Sequence, residues 1–231
     1  MTSKIAIITA RGGSKRIPRK NIKQFHGNPI IYYPIEAALK SECFDEVMVS
    51  TDDEEIAKIS KELGASVPFI RSEKNSDDYA GTADVLSEVL NEYKRFGKNF
   101  DICCCLYPTA PFITDDILKT TLKMMEEKRA NSLIPIAAFP SPIQRALKLT
   151  NGYIERINPE YEKTRSQDLI DTYFDIGHFY WLDVETFLST GRLLGHNTIP
   201  YIVSANDFHD IDTLDDWEAA EIKYQMRNLA N

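Results

Sequence analysis

The chain has 231 residues, a formal net charge of -8, 43% hydrophobic and 27% charged residues, enough for one large core or a domain with a small appendage. Its acidic balance argues against bulk nucleic-acid binding, which needs a broad basic face, and no apolar run approaches the roughly 20 residues that cross a bilayer. The opening apolar run is too short and too β-branched for a signal peptide, so a cytoplasmic protein with no membrane partner is expected.

In chain order, "KIAIITA" reads as a buried strand. "NPIIYYPIEAALKSE" reads as a helix with Asn28 as N-cap and Pro29 at its first position, and Pro34 inside it predicts a kink or a later start. "EVMVST" is a second strand, and "DDEEIAKISKELG" a helix with acids in its first turn and Gly64 as its stop. "SVPFI" reads as a short strand, "TADVLSEVLNEYKRF" as a helix, and "DICCCLYP" as a central strand ended by Pro108. A helix capped by Thr114 ("TDDILKTTLKMMEEK") and a strand "SLIPIAAF" follow. This alternation predicts an α/β fold: a mostly parallel sheet with helices on both faces. Ligands of such sheets sit beyond the carboxyl ends of the strands, where "RGGSK", "STDD" and "YPTAP" fall.

After Phe139 the rhythm breaks. Residues 140–176 read as an insertion with its own strands and a hairpin turn at "TNG". It exposes Tyr and Ile on an arm suited to pairing with a second subunit. The parent domain, 1–139, resumes over 177–231 with "HFYWLD", "NTIPYIVS", the loop "ANDFHDID" and a last helix. Cys103, Cys104 and Cys105 are consecutive. That suits a core strand better than disulfides or a zinc site, and unpaired thiols fit a reducing compartment. The four histidines show no metal-ligand spacing.

The concentrated charge is at "ARGGSKRIPRKN": from Arg11 to Lys23 there are six Lys or Arg and no acid. A strand, a glycine turn (Gly12, Gly13) and several cations suit a phosphate cradle, in which backbone N–H groups bind oxygens and Lys and Arg neutralise them. It is neither a Walker A loop nor a dinucleotide fingerprint. The bland alternative, a solvated basic loop, is disfavoured by mutual repulsion of the six charges without an anion to hold. Near the other end, Asp210 and Asp212 lie two apart in "HDID". In an extended segment both carboxylates face one way and can meet one Mg²⁺; the alternative is a pair of surface acids capping the last helix.

Together, "ARGGSKRIPRKNI", "FHGNPIIYYPIEAA", "FDEVMVSTDDEEIA", "LYPTAPF" and "DIDTLDDWEAAE" resemble the CMP-sialic acid synthetase family, the cytidylyltransferases that activate nonulosonic acids. The resemblance covers residues 4 to about 139 and about 175 to the end. "GGSKRIPRKNI", "YPTAPFI" and "FDIGHFYW" are most similar to its pseudaminic acid branch. It implies a Rossmann-like nucleotidyltransferase domain, CTP and a nonulosonic acid as substrates, Mg²⁺ as cofactor, and a homodimer made through the arm. The anomeric hydroxyl would attack the α-phosphate of CTP and release pyrophosphate.

By that resemblance Arg11 and Lys15, with Ser14 between them, hold the triphosphate, and Lys20 and Asn21 add nucleotide contacts. Arg16 and Arg19 are open between contact and solvated flank. Arg71 matches a cytosine-side or phosphate-side position, with Ser76 and Asp77 following. Tyr107 occupies a slot where sialic acid enzymes carry a sugar-contacting Gln, and Thr109 follows it. In the arm, Gln144, Arg145, Arg165 and Gln167 are candidates for the sugar pocket, since a bidentate arginine suits the sugar's carboxylate. After Tyr173, sialic acid enzymes have Arg-Pro-Asn-Gly where this chain has "FDIG". Phe174 and Ile176 therefore suggest a more apolar, deoxy and acetamido sugar. The rivals are legionaminic, sialic or 3-deoxy-manno-octulosonic acid, a sugar 1-phosphate acceptor, and a non-catalytic nucleotide-binding protein.

Overall fold

The computed structural model describes residues 2–77 and 80–230. Strand β1 (Lys4–Thr9) alternates its side chains, Ile5 and Ile7 to one face and Ala6 and Ile8 to the other. A two-strand hairpin follows, β2 (Gln24–Phe25) and β3 (Asn28–Pro29), turned by His26 at φ 45 and Gly27 at φ 87. Helix α1 (Tyr32–Ser41) starts after it. The helix expected from Asn28 therefore begins late: Pro34 falls in the first turn, where its missing N–H would have had no intrahelical partner.

Next come β4 (Glu46–Ser50), α2 (Glu54–Glu62), α3 (Thr82–Arg95), β5 (Ile102–Leu106), α4 (Asp115–Lys128) and β6 (Ser132–Ala138). Thr114 caps α4 as expected, accepting from the Ile117 N–H. "SVPFI" does not become a strand. It makes one bridge, Met48 to Ser66, and Pro68 then has no N–H to extend the ladder. The inserted segment forms the hairpin β7 (Leu147–Thr150) and β8 (Tyr153–Arg156), with Asn151 at φ 51 and Gly152 at φ 83 in the turn. It returns through β9 (Tyr173–Asp175), which pairs antiparallel with β6. Then follow β10 (Phe179–Asp183), α5 (Val184–Thr190), β11 (Thr198–Ile202) and α6 (Leu214–Ala230).

The sheet runs β11-β6-β10-β5-β1-β4, with β10 antiparallel to β5 and β6 and the other strands on this path parallel. One core lies under α1, α2 and α4, the other under α3 and α5. Cys103, Cys104 and Cys105 are buried in β5 as free thiols divided between the two faces, and burial pushes Cys105 up to about 12. A third cluster brings Ile17 of the basic loop, Ile211 of "HDID", and Trp217 and Ala220 of α6 together. This apolar joint sets the basic loop against the acidic one.

Candidate active site

The loop after β1 is fastened at several points. Ala10 N–H donates to the Ser50 carbonyl at 2.9 Å and Gly12 N–H to Asp52 Oδ1 at 2.8 Å. Buried Asn21 donates to the Arg11 carbonyl at 2.8 Å. Gly12 is required by close approach, because a Cβ there would lie 2.8 Å from Asp53 Oδ2 and 2.9 Å from Asp53 Cβ. Asp53 also N-caps α2, accepting from Ile56 N–H at 2.9 Å.

Much of the loop's charge is met by the protein's own acids. Arg19, left-handed at φ 55, holds Asp53 and Glu55. The Arg19 hydrogen bond keeps the Asp53 carboxyl below its usual range. Arg16 reaches Asp212 at 2.8 Å, Lys20 donates to the Ile211 carbonyl at 2.6 Å, and Lys23 lies 5.0 Å over the Trp217 ring. Burial pulls the Lys20 ammonium below its ordinary value, against the opposing charge of Asp212. This corrects the expectation that six charges repel one another unless an anion is bound.

Beyond the carboxyl ends of β1 and β5 lies an open cleft of about 290 Å³. Arg11, Ser14, Lys15, Arg16, Lys20 and Asn21 line it from the basic loop, whereas Arg19 does not. Arg71 and Asp77 line it from the segment after α2, and Tyr107 and Thr109 from the loop after β5. Arg71 is buried, its Nε donating to Ser50 Oγ at 2.9 Å, and burial lowers its pKa. Arg11 donates to the Asp77 carbonyl at 3.1 Å, which ties two walls together. Ser76 is turned away, its hydroxyl donating to the Ser72 carbonyl at 2.7 Å. Gly12 and Gly13 shape the loop without lining the cleft. Sequence reasoning missed Thr82 and Asn75, which also line it. Thr82 opens α3 behind the N-cap Gly81, and that helix start in "AGTAD" was the available signal.

The acidic pair stands just outside this lining, joined to it through Arg16 and Lys20. The helix-capping alternative belongs to other residues: Thr213 and Asp216 exchange the capping-box bonds of α6, Thr213 N–H to Asp216 Oδ2 at 2.7 Å and Asp216 N–H to Thr213 Oγ1 at 3.2 Å. Ile211 is buried between the two exposed-side acids, as an extended i, i+2 pattern requires. Desolvation, and then the charge of Asp212, push the Asp210 carboxyl above its usual range. Two carboxylates in mutual repulsion beside a cleft suit a cation. Among the described residues no group of three or more acid, His or Cys side chains is placed to hold one, so phosphate oxygens and water would have to complete its shell.

A family model, Cytidylyltransferase, matches residues 5–166. The chain belongs to this family. It is 40% identical over 225 residues, 97% of each chain, to a pseudaminic acid cytidylyltransferase of Campylobacter jejuni. To a CMP-N,N'-diacetyllegionaminic acid synthase of Legionella pneumophila it is 31% identical, over 98% of each chain. A solved CMP:2-keto-3-deoxy-manno-octonic acid synthetase complexed with CTP superposes with TM-score 0.73 over 98% of this chain and 100% of that one. At 19% identity that likeness shows the fold, a nucleotidyltransferase α/β domain.

The arm residues of this cytidylyltransferase do not reach the cleft in the single chain. Arg145 donates to the Thr164 carbonyl, and Arg165 forms a fork with Asp168 at 2.7 and 3.2 Å. Gln144 donates to the Ile170 carbonyl at 2.9 Å while its buried Oε1 has no partner, and Gln167 is exposed. Tyr173 lies on the β6 edge; Phe174 packs between Phe139 at 4.9 Å and Phe208 at 5.7 Å; Ile176 is buried. Phe174 and Ile176 are thus packed side chains, and Phe174, through Phe208, braces the loop that carries Asp210.

Proposed function

We propose that this enzyme couples CTP to pseudaminic acid, giving CMP-pseudaminic acid and pyrophosphate. The observation that carries the reading is a cleft at the strand ends with Arg11 and Lys15 on one wall and Tyr107 and Thr109 on the other. The oxygen of the anomeric hydroxyl bonds to the α-phosphorus, the bridge to the β-phosphate breaks, and the hydroxyl proton is released. Charge gathers on the departing pyrophosphate, so placed cations lower the barrier most. Arg11, Ser14 and Lys15 hold the triphosphate, with the backbone of Gly12 and Gly13 setting the turn. Lys20 and Asn21 fix that loop against the "HDID" loop and against Arg11. Buried Arg71 and Asp77 flank the nucleotide side, with Ser76 supporting the bend.

Asp210 and Asp212 are the residues that would hold Mg²⁺, which when bound neutralises phosphate charge. The acceptor lies against Tyr107 and Thr109. The arm makes a homodimer: Leu149 and Ile154 pair across the hairpin and are 76% and 70% exposed, an apolar face left uncovered by the described residues. Gln144, Arg145, Arg165, Gln167 and Tyr173 shape that arm and its return.

The test is pyrophosphate release from CTP and Mg²⁺ against a panel of purified nonulosonic acids. Release with pseudaminic acid above the others is expected. Preference for the legionaminic, sialic or octulosonic acid would overturn the acceptor and keep the reaction, and release only with a sugar 1-phosphate would overturn both.

A further inference from the structure

The wall that brings Arg71, Asn75 and Asp77 to the cleft has no core of its own. From Ser72 to Asp77 it reads "SEKNSD", without an apolar side chain, and none of these residues is buried. Behind it lies a second open cavity of about 550 Å³, lined by Ser72, Asn75 and Glu88 among others. Asn75 lines both this cavity and the cleft, so the wall there is one residue thick. With so little apolar contact, packing cannot fix the segment, and polar contacts must.

Those contacts converge on one carboxylate. Glu88 is half-buried in α3. Its Oε1 accepts from Ser72 N–H at 2.8 Å, and its Oε2 accepts from Ser72 Oγ at 2.5 Å and from Asn75 Nδ2. Among the described residues the other hydrogen bonds of Ser72–Ser76 stay inside the segment. Asn75 N–H and Ser76 Oγ donate to the Ser72 carbonyl at 3.1 and 2.7 Å, and Ser76 N–H donates to the Glu73 carbonyl at 3.1 Å. These bonds shape the turn without placing it. Bonds from elsewhere reach its flanks: Arg71 N–H donates to the Thr51 carbonyl at 2.9 Å, and Arg11 to the Asp77 carbonyl at 3.1 Å. A carboxylate only accepts, and bonds to an ionised group are the stronger kind. α3 is a firm mount for it. Thr82 and Val85 of this helix line the cleft, and Glu88 stands at the next i+3 position, so one helix sets the spacing of both.

We propose that Glu88 is a positioning residue for the nucleotide: its carboxylate holds Ser72–Ser76 so that Arg71, Asn75 and Asp77 meet CTP. Glu88 stands outside the cleft lining and acts through the wall. This rests on the reading that the wall is the nucleotide side of the cleft. Without the carboxylate the segment samples other positions, and apparent CTP affinity falls with the fraction of time the wall is in place.

Glu88→Ala is expected to raise the CTP KM about tenfold, as for a wall in place about a tenth of the time, with the acceptor KM within about twofold of wild type. Glu88→Gln keeps the length and an accepting oxygen, so it should recover most of the loss. Ser72→Ala, at an exposed position, should raise the CTP KM about threefold and cost nothing further when added to Glu88→Ala. Trypsin reads the wall without turnover. Lys74 is exposed, and cleavage after it should be at least about tenfold faster in Glu88→Ala at a nearly unchanged Tm, because cleavage tracks the open population. An unchanged trypsin rate with an unchanged CTP KM, or additive losses in the double variant, would overturn the role of Glu88. Faster cleavage with only the acceptor KM raised would overturn the assignment of the wall to CTP. The assay uses whichever acceptor the wild-type enzyme turns over. A wrong sugar in the proposed function therefore shows in the wild-type panel, and a wrong strut shows in the variants.

Discussion

Adjacent glycines in the basic loop are predicted to behave oppositely when each becomes alanine. At Gly12 the new Cβ would sit 2.8 Å from Asp53 Oδ2 and 2.9 Å from Asp53 Cβ, whereas ordinary contact begins near 3.4 Å. A rotation of Asp53 could remove its carboxylate oxygen but not its Cβ, so the backbone must part by about half an ångström. That movement loosens the α2 N-cap at Ile56, worth about 1 kcal/mol, and the partly exposed pair with Arg19, worth under about 1 kcal/mol. The sum, up to about 2 kcal/mol, falls within the usual cost of overpacking. For a chain of this size it corresponds to a fall in Tm of about 4–8 °C. A Cβ on Gly13 meets nothing within 4 Å and its φ is not in the left-handed range. Gly13→Ala should keep Tm within about 1–2 °C, or raise it slightly through the unfolded state. If phosphate approaches the turn as proposed, it should instead raise the CTP KM. Differential scanning calorimetry and CTP titrations separate the two. Equal Tm shifts for both variants, or a wild-type Tm for Gly12→Ala, would refute the reasoning.

Lys15→Ala should lower kcat/KM for CTP by about a hundredfold with Tm nearly unchanged; a large loss of Tm at normal turnover would assign it a structural role. Asp210→Asn should raise the Mg²⁺ concentration for half-maximal rate about tenfold, whereas an unchanged metal titration would remove the pair from metal binding. Leu149→Asp with Ile154→Asp should give a monomer by light scattering, and a persistent dimer would move the interface off the hairpin. Asp53→Asn keeps the N-cap but loses the charge. Because Arg19 depresses the folded pKa of Asp53, the pair's stabilisation is present above the unfolded value of about 3.9 and lost as pH falls through the lower folded value. The wild-type advantage in Tm should therefore hold at neutral pH and shrink progressively as pH falls below about 4; an advantage that did not shrink on acidification would contradict it.

The fold was legible where a signal was local. β1 and β5 announce themselves as unbroken apolar runs, Thr114 as a cap, and "TNG" as a hairpin turn, because period and φ requirements act within a few residues. The late start of α1 and the single bridge of "SVPFI" were harder for one reason. Proline forbids a hydrogen bond without saying what the chain does in its place, and the answer came from partners outside the run itself, the neighbouring Gln24–Phe25 strand and the β4 edge. β9 was read as part of the arm, and its pairing with β6 depends on where the arm returns, which no local pattern records.

The site shows a sharper limit. Sequence pointed to Arg11 and Lys15 by type and to Arg71 and Tyr107 by resemblance, all of which line the cleft, and to two aspartates that stand just outside it. It could not divide the six cations between ligand and scaffold, because that division is set by acids 30 to 200 positions away: Asp53 and Glu55 take Arg19, and Asp212 takes Arg16. The result is a graded wall. Arg19 is neutralised by Asp53 and Glu55, which hold that end of the loop against α2, while Arg11, Lys15, Arg16 and Lys20 line the cleft, the last two also meeting Asp212. A loop with every charge committed to substrate would be repelled from itself in the empty enzyme and would have to be ordered by CTP on each turnover. If the loop holds the triphosphate as proposed, pairing Arg19 with Asp53 and Glu55, and Arg16 and Lys20 with Asp212, orders the cradle beforehand, so binding energy from the triphosphate is available for the transition state.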